Sequence, residues 1–465
     1  MALFNPGDTI CALSTPPGTG AIAVIRASGA GVYPIIAGLF SPAEKGFDIR
    51  NALPHTIHFG ILGTAENPVD EVLVSCFRAP RSYTGEDVIE ISCHGSPYIQ
   101  QQVLALLSGA GMRLARPGEF TLRAFMNRKF DLPQAEAVAD LIASSSGTSH
   151  DLALRQMRGG YSRKIGALRE ALVEFTSLLE LELDFSEEHM IFADRTGLMA
   201  LIRRIDTELS ELIGSFALGN VIKNGIPVAI VGKPNTGKST LLNAILNEER
   251  AIVSEIPGTT RDAIEDTIVI GGYSFRFIDT AGLRATEEPV ETIGIGRTWE
   301  KINEASIVLY VFDVTTQTFE EVTDAIGELK RTAGDRPLKL VLIGNMIDKL
   351  DQLPGHFRDF VDHETIFVSA KRKENIHLLA THLVEVIGQE NLTGSTIVTN
   401  SRHHEALCRA RDAIGKIREG LDNGLSPDLL TIDIRQALYH LGEITGEITT
   451  DEILGGIFSR FCIGK

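Results

Sequence analysis

Residues 232 to 239 read Gly-Lys-Pro-Asn-Thr-Gly-Lys-Ser, and each residue type has a use at that spacing. Glycines let successive backbone N–H groups turn inward onto phosphate oxygens at a helix N-terminus. Lys238 reaches the terminal phosphates of a nucleoside triphosphate, and the Ser239 hydroxyl ligates Mg²⁺. Asn235, Thr236, Gly237, Lys238, Ser239 and Thr240 are therefore the expected phosphate-contacting set. Such a loop needs a strand before it and a helix after it. Residues 228–231 are an apolar run without breakers, and residues 240–246, Thr-Leu-Leu-Asn-Ala-Ile-Leu, keep helical spacing.

Further chemistry follows in order. Residues 269–272 end a strand, and residues 273–278 return beside it through a Gly-Gly turn. Asp279, Thr280, Ala281 and Gly282 then stand at a strand C-terminus, where open α/β sheets bind ligands. Asp279 suits the Mg²⁺ hydration shell, and the Gly282 amide suits a γ-phosphate. Two more apolar strands, 306–312 and 338–343, lead into Asn345, Met346, Ile347 and Asp348. A carboxylate there accepts from the N1–H and exocyclic amine of guanine, donors that adenine does not present together. Strand 365–368 delivers Ser369, Ala370 and Lys371, with an amide for guanine O6. An isolated Asp-Thr-Ala-Gly or Ser-Ala-Lys is usually a turn; in this order they resemble the five-motif GTPase fold. One position departs from it. Met346 stands where that family has Lys, whose stem covers the base and whose ammonium ties down the phosphate loop. Methionine keeps the apolar cover and loses the tie, so guanine preference with weaker affinity is expected.

At 465 residues and 43% hydrophobic content, the chain is long enough for two to four domains. A net charge of −17 opposes non-specific nucleic-acid binding, so such a partner requires a local basic patch or a second protein. Five cysteines, with no Cys-x-x-Cys pair or zinc spacing, suit a reducing compartment. No signal-peptide pattern or membrane-length apolar run is present, so a cytoplasmic protein with no membrane association is expected. Residues 1–120 read as short strands (10–13, 21–26, 55–62, 72–77, 88–92) with a helix over 97–107. Residues 121–216 read as helical, 217–386 as the P-loop GTPase domain, and 387–465 as helical again after a polar linker at 388–400. The expected fold is α/β plus all-α, with the GTPase domain inserted into one helical domain and a small α/β domain in front. Insertion is tolerated where an inserted domain's termini lie close together.

Other stretches narrow the role. Residues 15–20 (Thr-Pro-Pro-Gly-Thr-Gly) with Arg26, 82–87 (Ser-Tyr-Thr-Gly-Glu-Asp) with Glu90, 115–120, 132–139, 444–447 (Ile-Thr-Gly-Glu) and the ending Phe-Cys-Ile-Gly-Lys are distinctive. Together with the GTPase core they resemble the MnmE (TrmE) family of tRNA-modifying GTPases over essentially the whole chain. The resemblance implies an N-terminal folate-binding, dimerising domain and a homodimer. It also implies a heterotetramer with the FAD-containing MnmG, and tRNA as substrate. The implied chemistry places a carboxymethylaminomethyl group at C5 of wobble uridine 34, its bridging carbon drawn from a reduced folate (5,10-methylene- or formyl-tetrahydrofolate). Arg26 suits the folate's anionic tail and Glu90 its N–H-rich pterin edge; Lys129 and Lys465 join them by family matching alone. Cys462 is open to two readings, nucleophilic thiol or positioning residue.

Leu283 follows Gly282 where many GTPases hold a water-orienting Gln. The family pattern gives that role to Glu291, so Glu291, Lys238 and Thr260 are the expected catalytic residues. Residues 254–260 (Ser254, Glu255, Ile256, Pro257, Gly258, Thr259, Thr260) resemble switch I, with Thr260 as second Mg²⁺ ligand. The resemblance further implies K⁺ held by Asn235, Ser254, Ile256 and Thr259, supplying the charge of an arginine finger. The GTPase motifs alone leave two other readings open. One is an Era-type ribosome-assembly GTPase, though no Gly-x-x-Gly RNA-binding loop follows the core; the other is a scaffold without further chemistry.

Overall fold

The computed structural model describes residues 7–64, 66–185, 195–248, 266–278, 304–333, 339–352, 365–388, 396–459 and 461–465. Its first strands bury alternate side chains, the mark of a sheet packed on one face. They are β1 (Ile10–Leu13), β2 (Ile22–Ser28), β3 (Phe40–Pro42), β4 (Thr56–Gly63), β5 (Pro68–Phe77), β6 (Val88–His94) and β7 (Arg113–Leu114). Their order is β3-β4-β5-β6-β2-β1-β7, with β1–β7 parallel and the other pairs antiparallel. Helices α1 (Val32–Ala37) and α2 (Pro97–Gly109) supply Ile36, Val103 and Leu107 to a core with Ile25, Val74 and Ile89. Helix α2 ends at Gly109, two residues beyond the expected 107, and Gly111 then turns left-handed (φ 101°). Register sets the chemistry of this sheet: β2 and β6 pair Arg26 directly opposite Glu90.

Six helices follow: α3 (Glu119–Met126), α4 (Leu132–Ala143), α5 (Gly147–Met157), α6 (Gly160–Phe185), α7 (Arg195–Gly214) and α8 (Phe216–Asn224). Helix α6 buries Ile165, Leu168, Leu172, Phe175 and Leu179, alternating steps of three and four that draw one apolar stripe along it.

A second sheet contains β8 (Ile226–Val231), β9 (Asp266–Ile270), β10 (Tyr273–Phe277), β11 (Ile307–Asp313), β12 (Lys339–Asn345) and β13 (Thr365–Val368). The order is β13-β12-β11-β8-β10-β9, parallel except for the β9–β10 hairpin. Strand β11 is buried along its whole length, as a central parallel strand covered on both faces must be. Helices α9 (Lys238–Glu248) and α11 (Ile376–Gly388) cover one face through Leu241, Ile245, Leu379 and Leu383. Helix α10 (Phe319–Ala333) covers the other through Val322 and Ile326. The chain continues through α12 (Ser401–Asp422), α13 (Pro427–Thr445), which packs on α6, and α14 (Asp451–Phe458).

Two compact units result. One holds the described residues of Met1–Ala139, Arg155–Thr207 and Ala406–Lys465; the other holds Asp140–Leu154 and those of Glu208–Glu405. Residues 140–154 join the second unit through specific bonds: Thr148 Oγ1 donates to the Gly272 carbonyl at 2.9 Å, and Lys223 pairs with Asp140 at 2.7 Å. Within this second unit, α8 and the returning segment 396–404 lie side by side. The Val398 N–H donates to Ser215 Oγ at 3.0 Å, and Phe216 stacks on His404 with ring centroids 4.3 Å apart. A Cβ on Gly219 would come within 2.0 Å of the Val398 carbonyl oxygen, so only glycine permits that approach.

Candidate functional site

The loop after β8 owes its shape to three left-handed residues, Gly232 (φ 149°), Asn235 (φ 60°) and Gly237 (φ 89°). Side chains are excluded at both glycines. A Cβ at Gly232 would meet the Val311 carbonyl oxygen at 2.1 Å, and one at Gly237 the Asn345 amide nitrogen at 2.3 Å. The loop thus wraps over the ends of β8 and β11, with its amides at the N-terminus of α9. Lys238 Nζ donates to the Gly232 and Lys233 carbonyls at 2.9 and 2.7 Å, holding its ammonium inside the loop. Thr236 is buried, Ser239 half-buried and Thr240 exposed.

Asn345 joins the distant motifs. It is 3% exposed; its Nδ2 donates to the Thr236 carbonyl at 2.8 Å, and its Oδ1 accepts from the Ala370 N–H at 3.0 Å. One amide therefore clamps the phosphate loop, the end of β12 and the loop after β13. Met346 follows in a left-handed conformation (φ 72°), its Cε 3.9 Å from where a Gly237 Cβ would stand. Lys349 Nζ lies 3.0 Å from the Met346 sulfur. Asn345 ties these loops together, and Met346 beside it brings no ammonium of its own. Asp348 accepts from Ser369 Oγ at 2.7 Å, and Ser369 Oγ in turn accepts from the Arg372 N–H at 3.1 Å. That hydrogen bond, helped by Arg372 and Lys371, holds the Asp348 carboxyl below its ordinary range, so it stays an acceptor.

In the N-terminal sheet, Arg26 Nε donates to Glu90 Oε1 at 2.8 Å, and Nη1 to the Gly464 carbonyl at 3.3 Å. The guanidinium lies over the rings of Tyr83 and Phe120, 5.0 and 5.7 Å from their centroids. Tyr83 is fixed by its hydroxyl on Thr121 (2.8 Å). Gly464 needs its glycine: at φ 96° a Cβ would stand 2.3 Å from the Leu13 carbonyl oxygen. Burial, and then the nearby Arg26 charge, push the Lys465 ammonium below its ordinary range, against an opposing pull from Glu90. Arg26, Glu90 and Lys465 are thus brought together. Lys129 is committed elsewhere, its stem along Gly85 and its amine on the Pro80 carbonyl at 3.1 Å.

Residues 132–462 match the family model described as the MnmE helical domain, and residues 9–129 the one described as GTP-binding protein TrmE N-terminus. A relative from Christiangramia forsetii, named tRNA modification GTPase MnmE, is 52% identical over 474 residues, covering 98% of this chain and 99% of its own. Relatives with the same name from Bacteroides fragilis and Cytophaga hutchinsonii are 50% and 51% identical, each covering at least 98% of both chains. The chain belongs to the MnmE family.

For this MnmE-family chain, the expected positions Ser254, Glu255, Ile256, Pro257, Gly258, Thr259, Thr260, Asp279, Thr280, Ala281, Gly282 and Glu291 lie outside the described residues. Sequence reasoning missed Tyr83 and Phe120 as the aromatic floor under Arg26, although both fall in stretches it singled out. It also assigned Asn345 no bridging role. An amide spanning two loops leaves no spacing signal until the loops are folded together.

Proposed function

We propose that this chain hydrolyses GTP in the service of tRNA modification, as the names of its relatives indicate. In the finer reading, it works with an FAD-containing MnmG partner to install the carboxymethylaminomethyl group at C5 of wobble uridine 34. The Asn345 clamp carries the GTPase reading. It holds the Lys238 loop, the ionised Asp348 and the Ala370 amide in one rigid frame, matching triphosphate at one end and guanine at the other.

The loop fits the groups that reading requires: both glycines are cradles a Cβ would fill, and Lys238 is preorganised beside them. Ser239, with Thr260 and Asp279 from the sequence, would hold Mg²⁺; Asn235, with Ser254, Ile256 and Thr259, would hold K⁺. Bound there, the two ions supply positive charge at the phosphates. Lys238 draws the γ-phosphate oxygens, and Glu291 orients the attacking water. The Arg26 site fits an anionic, donor-rich heterocycle. Two cations converge on one carboxylate, and the depressed Lys465 ammonium would be relieved by an added negative group. A reduced folate bound there would supply the one-carbon unit, with Arg26 and Lys465 on its carboxylates and Glu90 on its N–H edge.

Nucleoside analysis of tRNA from cells lacking this chain tests the whole reading: the modified wobble uridine should disappear and return with the wild-type gene. Unchanged nucleosides would exclude the modification role. For the folate arm, calorimetry on the full-length protein should show binding of a reduced folate. Arg26→Ala should weaken it by about 1.5–3 kcal/mol, the worth of a hydrogen bond to a charged group. No heat with any folate would leave the GTPase without that cofactor.

A further inference from the structure

In a chain of net charge −17, residues 152–168 carry Arg155, Arg158, Arg163 and Lys164 and no acidic residue. They cover the end of α5 and the start of α6, joined at the left-handed Gly159 (φ 77°). Arg155, Arg158 and Arg163 are exposed. Arg163 Nη1 donates to the Arg158 carbonyl at 3.0 Å, which brings it onto the end of α5 and leaves most of its donors outward. Gln134 Nε2 donates to the Met157 carbonyl at 3.1 Å, adding the start of α4 to the same neighbourhood. Exposed Arg128 and Lys129 lie just before it; the one carboxylate between, Asp131, is engaged as a cap on the Gln134 N–H at 2.9 Å.

The three exposed arginines differ from several others in the molecule. Arg50, Arg78, Arg169 and Arg418 are each paired with a carboxylate. Among the described residues, no carboxylate pairs with Arg155, Arg158 or Arg163. Guanidiniums left unneutralised on an acidic chain match an extended polyanion, each able to grip one phosphate bidentately. An anionic membrane would also need an apolar face to insert. Here Ala153, Tyr161, Ile165 and Leu168 are buried, and the exposed large hydrophobics lie outside the stretch.

We propose that Arg128 together with Arg155, Arg158, Arg163 and Lys164 forms the surface that grips the phosphate backbone of tRNA. The proposal rests on the tRNA reading above and locates the RNA on the chain. Phosphate contacts of this kind fix position and orientation and carry no sequence information.

The test compares the full-length protein with Arg155→Gln/Arg158→Gln and with a charge-matched control at two exposed arginines outside any site, Arg203→Gln/Arg331→Gln. Binding of fluorescent unmodified tRNA is titrated across a range of KCl. At low salt the first variant should bind about tenfold more weakly, and the magnitude of its slope of log K against log [salt] should fall by about 2, roughly 1 per lost phosphate contact. GTP turnover should be unchanged in both variants, which also reports intact folding, and the control should bind like wild type. Wild-type affinity and slope in the first variant would overturn the proposal. So would unchanged tRNA binding with loss of capture by phosphatidylserine vesicles, which would assign the patch to a membrane. A wild-type protein that hydrolyses GTP yet binds no tRNA would sink the tRNA reading itself, and this surface with it.

Discussion

Asp348 shows how far single residue types carry the reading. A carboxylate that hydrogen-bonds Ser369 and remains ionised accepts from both guanine donors. Asp348→Asn replaces one acceptor oxygen by a donor, which opposes guanine N1–H and suits the O2 carbonyl of xanthine. GDP affinity should fall by about 2–3 kcal/mol, with xanthosine diphosphate becoming the better competitor in displacement measurements. Retained guanine preference would remove Asp348 from base recognition. This site was legible because its chemistry depends on types at fixed spacing: two glycines and a lysine, an aspartate after a buried strand, a serine after another. Other contacts were not. Asn345 acts by reaching Thr236 and Ala370 across the fold, and Tyr83 acts by lying under Arg26, so neither has a local pattern. Asn345 holds Thr236 beside the tie that Met346 is expected to lack.

At the scale of elements, periodicity found most of the framework. Strand 365–368 matches β13 and strand 10–13 matches β1 residue for residue, since each is a short apolar run bounded by turns. Strand β3, of three residues, and helix α1, of six with Pro34 inside, were missed because neither completes two periods. Charge placement is harder still to read. Arg123 on α3 is fully buried, and Glu119 is 1% exposed beside it. Arg123 reaches Asp8, Glu86 and Glu119, so it staples α3 to the segment before β1 and to the loop that carries Tyr83. Burial alone would raise the Glu119 carboxyl, but hydrogen bonds from Arg113 and the Arg116 N–H outweigh it and hold it below 4.5; Asp8 lies below 3.8 for similar reasons. A carboxyl lowered on folding stabilises above its unfolded value, and that stability is lost as pH falls through the folded one. Acid should therefore destabilise the N-terminal region progressively below about pH 4.5. Glu119→Gln should cost about 3–5 kcal/mol at pH 7, because it leaves Arg123 and Arg113 undercompensated, and should flatten that acid dependence. Urea melts at pH 7 and pH 4 measure both; equal stability of the two proteins at pH 7 would show that the staple holds nothing.

Across the whole molecule, the chain passes between its two units at 139–140, 154–155, 207–208 and 405–406, each time inside a helix: α4, α5, α7 and α12. In the second unit, Thr148 on α5 grips the Gly272 carbonyl at the tip of the β9–β10 hairpin. The residues expected to sense the γ-phosphate precede and follow that hairpin in sequence. The family resemblance implies K⁺ in place of a finger arginine, and a second copy's GTPase unit would shield that ion from water. Spin labels at Arg372→Cys, with Cys408 and Cys462 replaced by Ser, test this in a dimer. The labels should draw together with GDP and a planar γ-phosphate mimic in K⁺, and stay apart with the same ligands in Na⁺ or with GDP alone. GTP turnover at matched ionic strength should follow the same order, faster in K⁺. A distance distribution indifferent to the cation would break the link between ion, pairing and turnover.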